Sequence, residues 1–234
     1  MRIGASIILI NGYCYQSYKW NYMRPLGALS YVLKYLDKYE VDEICIIRPI
    51  KGSDTLSALQ NDLMTIKFAT CSSPICFGGG IRNHAMLNRL KQLPIERLHL
   101  SNAFSTRNKK LIDEIQKLYG KQALVATLPL KLVGEDIFFY DSLAKEFQVL
   151  SKKTISFIED NADEILIIDT ENEGMNGGFN FNILDAIDLP ANKLMLTGGI
   201  GSQELLTAKE SEVVSCLVDN RMLHRENSMK TEML

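Results

Sequence analysis

One stretch decides the fold: residues 74–83, with the sequence PICFGGGIRN. It predicts a short buried strand that ends in three glycines and leads into a helix. A second copy, KLMLTGGIGS, occupies residues 193–202. Glycines after a strand let backbone N–H groups approach a phosphate, and the start of the next helix adds a favourable dipole. Either loop alone is compatible with a simple turn, but two copies in one chain favour a pair of phosphate sites.

The composition excludes several function classes. The chain has 234 residues, of which 46% are hydrophobic and 23% charged, as in an ordinary globular protein with a sizeable core. A net charge of -2 gives no electrostatic reason to expect nucleic acid or an anionic membrane as a partner. No apolar run approaches the ~18 residues of a membrane span, and the N-terminus lacks a signal-peptide pattern. We therefore expect a cytoplasmic protein.

The cysteines and histidines show no chemical motif. The five cysteines form no CxxC pair, and no spacing with the three histidines suits a metal. We expect reduced core thiols, structural or surface histidines, no metal site and no cofactor. The residues concerned are Cys14, Cys45, Cys71, Cys76, Cys216, His84, His99 and His224.

Strand-like and helix-like segments alternate along the chain, which indicates a parallel α/β architecture. The predicted strands cover 1–10, 40–47, a run opening at Pro74, 97–100, 122–128, 164–168, 194–196 and 213–218. The predicted helices cover 29–39, 55–68, 83–92, 108–119, 142–161, 183–187 and 202–210. The segment 142–161 is predicted as one long amphipathic helix. Residues 11–12 predict a turn, followed by an extended, aromatic-rich piece at 13–20.

The chain also repeats itself. The run VDEICII at 41–47 recurs as ADEILII at 162–168, and the glycine loop recurs after a nearly equal interval. Glu43 and Glu164 are 121 residues apart, and Gly79 and Gly198 are 119 apart. We therefore predict a single-domain (β/α)8 TIM barrel with an internal half-barrel repeat, its halves at about 1–120 and 121–226, and a short C-terminal tail.

In such barrels the site lies at the carboxyl ends of the strands. Both glycine loops, Ser101-Asn102 and the segment 219–221 follow predicted strands and would meet there. Two phosphate loops across one mouth suit a long ligand with a phosphate at each end; the alternatives are one phosphate site or none. The loop 169–178 is acidic and glycine-rich, so it either holds a carboxylate over the site or is a solvated loop.

Together, the two glycine loops, the Asp-Glu-Ile strands and the segment EGMNGGFN at 173–180 resemble the cyclase subunit of imidazole glycerol phosphate synthase, a barrel of histidine biosynthesis. The resemblance runs from Arg2 to about Arg225. It implies a glutaminase partner, ammonia supplied from glutamine, a bisphosphorylated ribosyl-carboxamide substrate and a lyase reaction that closes a ring. The implied phosphate contacts are Gly79, Gly80, Ser101 and Asn102 at one end, and Gly174, Gly177, Gly198, Gly199 and Asn220 at the other.

The chain differs from this family at the two positions that carry the family's acid–base catalysis. The family uses two aspartates, which end strands one and five, as general acid and base; the matching residues here are Ile8 and Pro129. Neither side chain can carry a proton. Each such group typically contributes about 10²–10⁴-fold, so we do not expect normal cyclase activity. A family lysine in the first loop matches Gln16, although Lys19 is close enough to substitute for it.

A second family feature is retained. The family has a ring of four charged residues at the amino-terminal face of the barrel, which gates ammonia arriving from the glutaminase. The matching residues are Arg2, Glu43, Arg97 and Glu164, and Glu96 matches an acidic contact to the partner. A ring of paired charges also has a purely structural interpretation, because it seals the barrel.

Three hypotheses follow. The first is a barrel that partners a glutaminase and passes ammonia onward, as in the cyclase-like variants associated with sugar amidation in surface-polysaccharide synthesis, where a separate amidotransferase uses the ammonia. The second is a working but divergent cyclase of histidine biosynthesis. The third is a non-catalytic, phosphate-binding scaffold barrel.

Overall fold

The structure is a computed structural model, and it describes residues 1–219. Eight parallel strands pair side by side in a closed ring, because the last strand pairs with the first. The ring strands are β1 (Arg2–Ile10), β4 (Ile44–Ile47), β5 (Ile75–Gly78), β6 (Arg97–Leu100), β7 (Leu124–Val133), β10 (Glu164–Asp169), β11 (Leu194–Thr197) and β12 (Ser215–Asp219). The predicted (β/α)8 barrel is confirmed.

Helices follow the strands and cover the outside of the ring. They are α1 (Leu29–Asp37), α2 (Leu56–Lys67), α3 (His84–Leu90), α4 (Asn102–Ser105), α5 (Lys109–Tyr119), α6 (Lys152–Asn161), α7 (Asn182–Ile187) and α8 (Ser202–Glu210), with short 3-10 turns at Lys121–Ala123 and Ala191–Lys193. Polar side chains start several of them: Asn83, Asn108 and Ser151 each accept a hydrogen bond from the backbone N–H three residues on.

The barrel strands carry apolar side chains on both faces, because one face packs under the helices and the other lies inside the barrel. In β10, Ile165 and Ile167 pack under the helices, whereas Leu166 and Ile168 point into the barrel. The interior is filled by side chains from alternating strand positions, as expected for a closed eight-stranded barrel. That interior cluster comprises Cys45, Cys76, Val125, Leu166, Ile168, Met195 and Leu217.

Two β-hairpins lie at the carboxyl end of the barrel. The first consists of β2 (Tyr13–Tyr18), which pairs antiparallel with β1, and β3 (Tyr22–Ala28). The second consists of β8 (Asp136–Asp141) and β9 (Glu146–Val149), which continue antiparallel from the end of β7. Both hairpins bring aromatic residues to the mouth.

The prediction of one helix over 142–161 is wrong. Residues Glu146–Val149 form strand β9, and the helix begins only at Lys152. The cause is tertiary: Phe147 packs edge-to-face on Tyr140 of β8, with their ring centroids 5.2 Å apart. Ser151 then starts the helix by capping the N–H of Thr154. The internal repeat and the half-barrel boundaries remain predictions, and the expected tail and His224 lie outside the described residues.

Candidate functional site

A cavity of about 580 Å³ opens at the carboxyl end of the barrel, at the ends of β4 to β7. Its lining includes the first glycine loop, Gly78–Gly80, and the polar pair Ser101-Asn102. The first glycine loop and Ser101-Asn102 therefore lie beside one cavity, while their binding of phosphate stays a prediction. The volume is in the range of small-molecule sites.

The first glycine loop is tightly packed against the neighbouring strand. Gly79 has φ +100°, and a Cβ there would lie 2.1 Å from the carbonyl oxygen of Arg48. At Gly80 (φ +83°), a Cβ would lie 2.6 Å from a guanidinium nitrogen of Arg48. Only glycine fits both positions. Within residues 1–219, neither Gly79 N–H nor Gly80 N–H donates a hydrogen bond to a protein group, so both remain available to a ligand.

Cations surround this loop, but part of their charge is already neutralised. Arg48 is buried and pairs with Asp54 at 2.9 Å and Asp62 at 2.7 Å. Arg82 lines the cavity and donates to the carbonyl of Gly52. Burial lowers the pKa of its guanidinium, and the nearby carboxylates of Asp54 and Asp141 oppose that shift.

Further positive charge comes from two lysines. Lys51 lines the cavity and lies 3.4 Å from the carbonyl of Trp20, and Lys19 lines it as well. Gln16, which matches the family lysine, is buried instead, and neither atom of its amide has a hydrogen-bond partner among the described residues. Lys19 is therefore the lysine of the first loop that faces this cavity.

The cavity floor carries a buried histidine. His99 is 3% exposed, lines the cavity, and has Nδ1 at 3.3 Å from the hydroxyl of Thr127. Burial lowers the pKa of His99 to about 3, so its ring is neutral at physiological pH. Its Nε2 has no partner among residues 1–219, nor has the hydroxyl of Ser101. Two buried polar atoms beside the glycine loop thus lack a hydrogen-bond partner in the described part of the chain.

The hairpins add an aromatic wall. Trp20 of the first hairpin, and Tyr140 and Phe147 of the second, all line the cavity. The first hairpin is held over the mouth by Glu173, whose carboxylate accepts hydrogen bonds from the Ser17 hydroxyl at 2.9 Å and the Trp20 N–H at 3.0 Å. Burial raises the pKa of Glu173, and these hydrogen bonds oppose that shift.

The positions predicted to match the family's acid and base are apolar in their surroundings as well as in identity. Ile8 is 4% exposed and pairs with Ile47 of β4. Pro129 lines the cavity and pairs with Ile168 of β10. Glu171, from the loop after β10, brings an acidic side chain to the cavity lining. The acidic loop 169–178 therefore does bring a carboxylate to the site.

The glycines predicted to bind a second phosphate lie away from this cavity. None of the four described ones, Gly174, Gly177, Gly198 and Gly199, lines it. A Cβ at Gly198 (φ +92°) would lie 2.4 Å from the carbonyl oxygen of Asp169, and one at Gly199 2.9 Å from that of Gly177. Asn220, the remaining predicted contact, lies outside the described residues. The second phosphate site remains a prediction.

Carboxylates already occupy N–H groups around that second loop. Glu204 accepts hydrogen bonds from the N–H groups of Gly178 at 2.7 Å and Gly201 at 3.0 Å. Burial opposes ionisation of Glu204, but these backbone donors prevail and hold its pKa below the ordinary value. Asp169 is buried and accepts from the Asn180 N–H at 2.9 Å and the Asn172 amide at 2.8 Å.

At the opposite end of the barrel, the four predicted charges form a closed ring. Arg2 lies 3.0 Å from Glu43 and 2.6 Å from Glu164. Arg97 pairs with the same two carboxylates, at 2.5 Å for Glu164. Each residue stands at or just before the start of a barrel strand, and each charge contacts two of opposite sign. The four residues therefore form a ring of ion pairs, and its role as an ammonia gate stays a prediction.

Glu43 is the buried centre of this ring. Its side chain is fully buried, and the hydroxyl of Ser215 donates to it at 2.6 Å. Burial alone would raise its pKa, but Ser215, Arg97 and Arg2 outweigh that effect and hold the pKa below the ordinary value. The interior cluster adjoins the ring at Cys76, whose thiol donates to Glu43 at 3.7 Å, and it includes Ile168, which lines the cavity.

Comparison with known proteins decides the family. A model described as histidine biosynthesis protein matches residues 2–228, nearly the whole chain. The chain belongs to the histidine biosynthesis protein family.

Relatives within this family carry more specific names. A Vibrio vulnificus protein, provisionally named imidazole glycerol phosphate synthase subunit hisF3, is 31% identical over 189 residues, which are 76% of this chain and 68% of the relative. Imidazole glycerol phosphate synthase subunit HisF of Exiguobacterium sibiricum is 24% identical over 197 residues, or 80% and 76% of the two chains. The chain is thus a divergent HisF-like member of the histidine biosynthesis family.

Several features of this HisF-like site were not predicted from sequence. They are the buried Arg48 network, the neutral His99 and the aromatic wall. A charged residue directly after the apolar run 44–47 was the available signal for Arg48, whereas the burial of His99 depends on its packing inside the barrel. Among residues 1–219, no group of three or more His, Cys, Asp or Glu side chains is placed to hold a metal ion. The same residues contain no helix with the length and hydropathy to cross a membrane.

Proposed function

We propose that this chain is a HisF-like barrel that partners a glutaminase and passes ammonia along its axis to another acceptor, without normal cyclase chemistry. The acceptor reaction we propose is sugar amidation in surface-polysaccharide synthesis, carried out by a separate amidotransferase. A phosphorylated small molecule binds at the cavity in this proposal. The observation that carries it is the contrast between a complete charge ring at one end and apolar residues at Ile8 and Pro129 at the other.

The mouth supports the loss of cyclase activity. General acid–base catalysis needs groups that exchange protons near neutral pH. Ile8 and Pro129 cannot do so, and His99, with a pKa of about 3, stays neutral. Glu171 remains as a carboxylate on the lining, but it comes from a different strand end than either family acid.

The ring supports ammonia passage. A buried ion-pair network is often no more stabilising than apolar residues of the same size, so stability alone is a weak reason to keep one. Here four charges are paired at the amino-terminal face, and the exposed Glu96 stands beside Arg97 at the same face. Such a face offers complementary charges to a glutaminase subunit, which is where the partner would dock.

The alternative is a working cyclase, and two observations favour it. Relatives of this chain are named as imidazole glycerol phosphate synthase subunits. In addition, Glu171 and Lys19 both line the cavity and could act as a substitute acid–base pair. A cyclase would use the ammonia in its own reaction, whereas the proposed barrel passes it to another acceptor.

Coupling to a glutaminase tests the proposal. The purified chain is mixed with the glutaminase subunit encoded in the same genome, and complex formation and glutamate release are measured. We expect a complex and at least a tenfold stimulation of glutamine hydrolysis. The absence of both would overturn ammonia passage and favour the scaffold barrel.

A matched pair of variants then separates a gate from a merely structural ring. Glu164→Gln removes one charge of the ring at a position that is 18% exposed. Glu159→Gln makes the same change on the exposed face of α6. We expect the first to change the ratio of glutamate formed to ammonia released into solution, and the second to leave it unchanged. Equal ratios in folded proteins would make the ring structural only.

A further inference from the structure

Under the proposed function, ammonia leaves the barrel at the mouth of the cavity. In that proposal the cavity itself consumes none, because Ile8 and Pro129 stand in place of the acid and base. Ammonia that reaches water at neutral pH is mostly protonated, and ammonium is not a nucleophile. Direct transfer therefore calls for an acceptor enzyme that covers the mouth.

Large apolar side chains are exposed on three segments around this mouth. Tyr22 of the first hairpin is 77% exposed and follows Asn21, which lines the cavity. Leu143 of the second hairpin is exposed and follows Ser142 of the lining, and Met175, in the loop after β10, is exposed as well. Single exposed apolar residues are common, but three separate segments that bring them to one opening make a candidate contact surface.

Hydrogen bonds hold these segments together. Nζ of Lys51 lies 3.4 Å from the carbonyl oxygen of Trp20 in the first hairpin. The next residue, Gly52, donates its N–H to the carbonyl of Ser142 in the second hairpin at 2.6 Å. Glu173 joins the first hairpin to the loop after β10. The surface around the mouth is thus preorganised, which lowers the entropy cost of binding a partner.

Cationic side chains meet on this surface at the backbone of Gly52. Arg82 donates to its carbonyl oxygen, and a Cβ at Gly52 would lie 3.3 Å from Nζ of Lys145. Lys51 and Lys145 are both exposed. Within residues 1–219, neither lysine has a carboxylate close enough to form an ion pair. Their ammonium groups are therefore open to a partner.

The acids of the same segments leave these two lysines unpaired. Asp54 is used by Arg48 at 2.9 Å, and Asp141 accepts two backbone N–H groups within its own hairpin. Glu146 and Glu171 are exposed, but neither pairs with a described lysine. Although the whole chain has a net charge of -2, this part of the mouth attracts carboxylates, and such complementarity steers a partner into register.

We propose that the mouth rim, made by Tyr22, Lys51, Leu143, Lys145 and Met175, is the docking surface of the ammonia-accepting enzyme. The partner covers the three apolar side chains and places carboxylates against the two lysines. This inference rests on the proposed function, because it takes ammonia to leave at the mouth. An anionic membrane has similar surface chemistry, but a bilayer holds no acceptor for ammonia.

Binding to the sugar amidotransferase encoded in the same genome tests the mouth rim. The chain, alone and with its glutaminase, is titrated with that enzyme by calorimetry at low and at high salt. We expect a complex in both cases, with affinity that falls at least tenfold at high salt because salt screens exposed charges. Pelleting with phosphatidylcholine vesicles that contain phosphatidylserine is measured in parallel.

Matched variants connect this binding to the named residues. Lys145→Glu should weaken the complex at least tenfold, Lys145→Arg should bind within twofold of the parent, and Lys110→Glu, exposed on α5, should do the same. Tyr22→Ser should weaken it at least fivefold, whereas Leu206→Ser, which is exposed on α8, should not. With glutamine and the sugar acceptor present, Lys145→Glu should also raise the share of nitrogen lost as free ammonia.

Two results would overturn the inference. The first is no binding of the parent chain to the amidotransferase, and vesicle binding in that case would assign the mouth rim to a membrane surface. The second is equal binding by the rim variants and their controls, which would place the contact elsewhere. Glutamate release in the same samples keeps the proposals apart: stimulated release without amidotransferase binding contradicts only the docking surface, and absent stimulation contradicts ammonia passage.

Discussion

The two ends of the barrel axis differ in how completely their polar groups are satisfied. At the amino-terminal end, Arg2, Glu43, Arg97 and Glu164 satisfy one another in a closed ring. At the carboxyl end, His99 and Ser101, which line the cavity, each have a polar atom without a partner among residues 1–219. Because buried polar groups are normally paired, unpaired atoms in a cavity mark the end that meets a ligand.

The comparison also separates binding from chemistry. The cavity keeps groups that can hold an anion, while the strand ends at Ile8 and Pro129 present only hydrocarbon. The ring keeps every charge.

The largest change in the free energy of unfolding should come from a variant that breaks the ring of four charges. Glu43→Ala leaves two guanidinium groups and the Ser215 hydroxyl without their shared partner, and breaking a buried ion pair typically costs about 3–5 kcal/mol. Urea unfolding should show a loss of that order. Glu159→Ala, on the surface of α6, should change the free energy of unfolding by less than about 0.5 kcal/mol. A loss below 1 kcal/mol for Glu43→Ala would mean that the ring is not closed in solution.

The second largest effect should be a pH dependence of the free energy of unfolding, caused by His99 at the cavity end of the barrel. Burial lowers the pKa of His99 to about 3 in the folded protein, against an ordinary value of 6.5. Below pH 6.5 the unfolded chain therefore binds a proton that the folded protein does not, so stability is complete above that pH and falls as pH falls. Between pH 7 and 5 this amounts to about 2 kcal/mol.

His99→Gln should remove that part of the pH dependence, whereas the exposed His84→Gln should retain it. The measurement is the free energy of urea unfolding at pH 7, 6 and 5 for both variants and the parent. The same slope in His99→Gln would show that the ring is solvated and not buried on the cavity floor.

The smallest effect should come from the position that matches a family acid. Pro129 has no proton to exchange and, in our account, no catalytic task. Pro129→Ala should therefore change glutaminase stimulation by less than twofold. A loss of tenfold or more in a folded variant would assign this strand end a function that the account denies it.

Much of the fold could be predicted from the sequence, because the barrel strands are buried on both faces and read as apolar runs. The region after β7 could not. The buried side chains of Ile137 and Phe139 alternate with less buried neighbours, as in a strand. Residues 142–161, however, have helical spacing, and the packing of Phe147 on Tyr140 decides for a strand at Glu146–Val149.

The site divides in the same way. Gly79, Gly80, Ser101 and the four ring residues lie at strand ends, where topology alone brings them together. The neutral state of His99 and the acidic surroundings of the second glycine loop depend on three-dimensional packing. Glu204 illustrates this: its partner Gly178 is 26 residues away in the chain, and no local pattern connects them.

The most direct test follows both ends of the barrel in one reaction. The chain and its glutaminase are given glutamine and the bisphosphorylated ribosyl-carboxamide substrate, and glutamate and imidazole glycerol phosphate are measured together. Our account predicts barrel-stimulated glutamate release with imidazole glycerol phosphate at least 10²-fold below it, because the proposal has Ile8 and Pro129 in place of two general acid–base groups. Formation of the two products in equal amounts would contradict it.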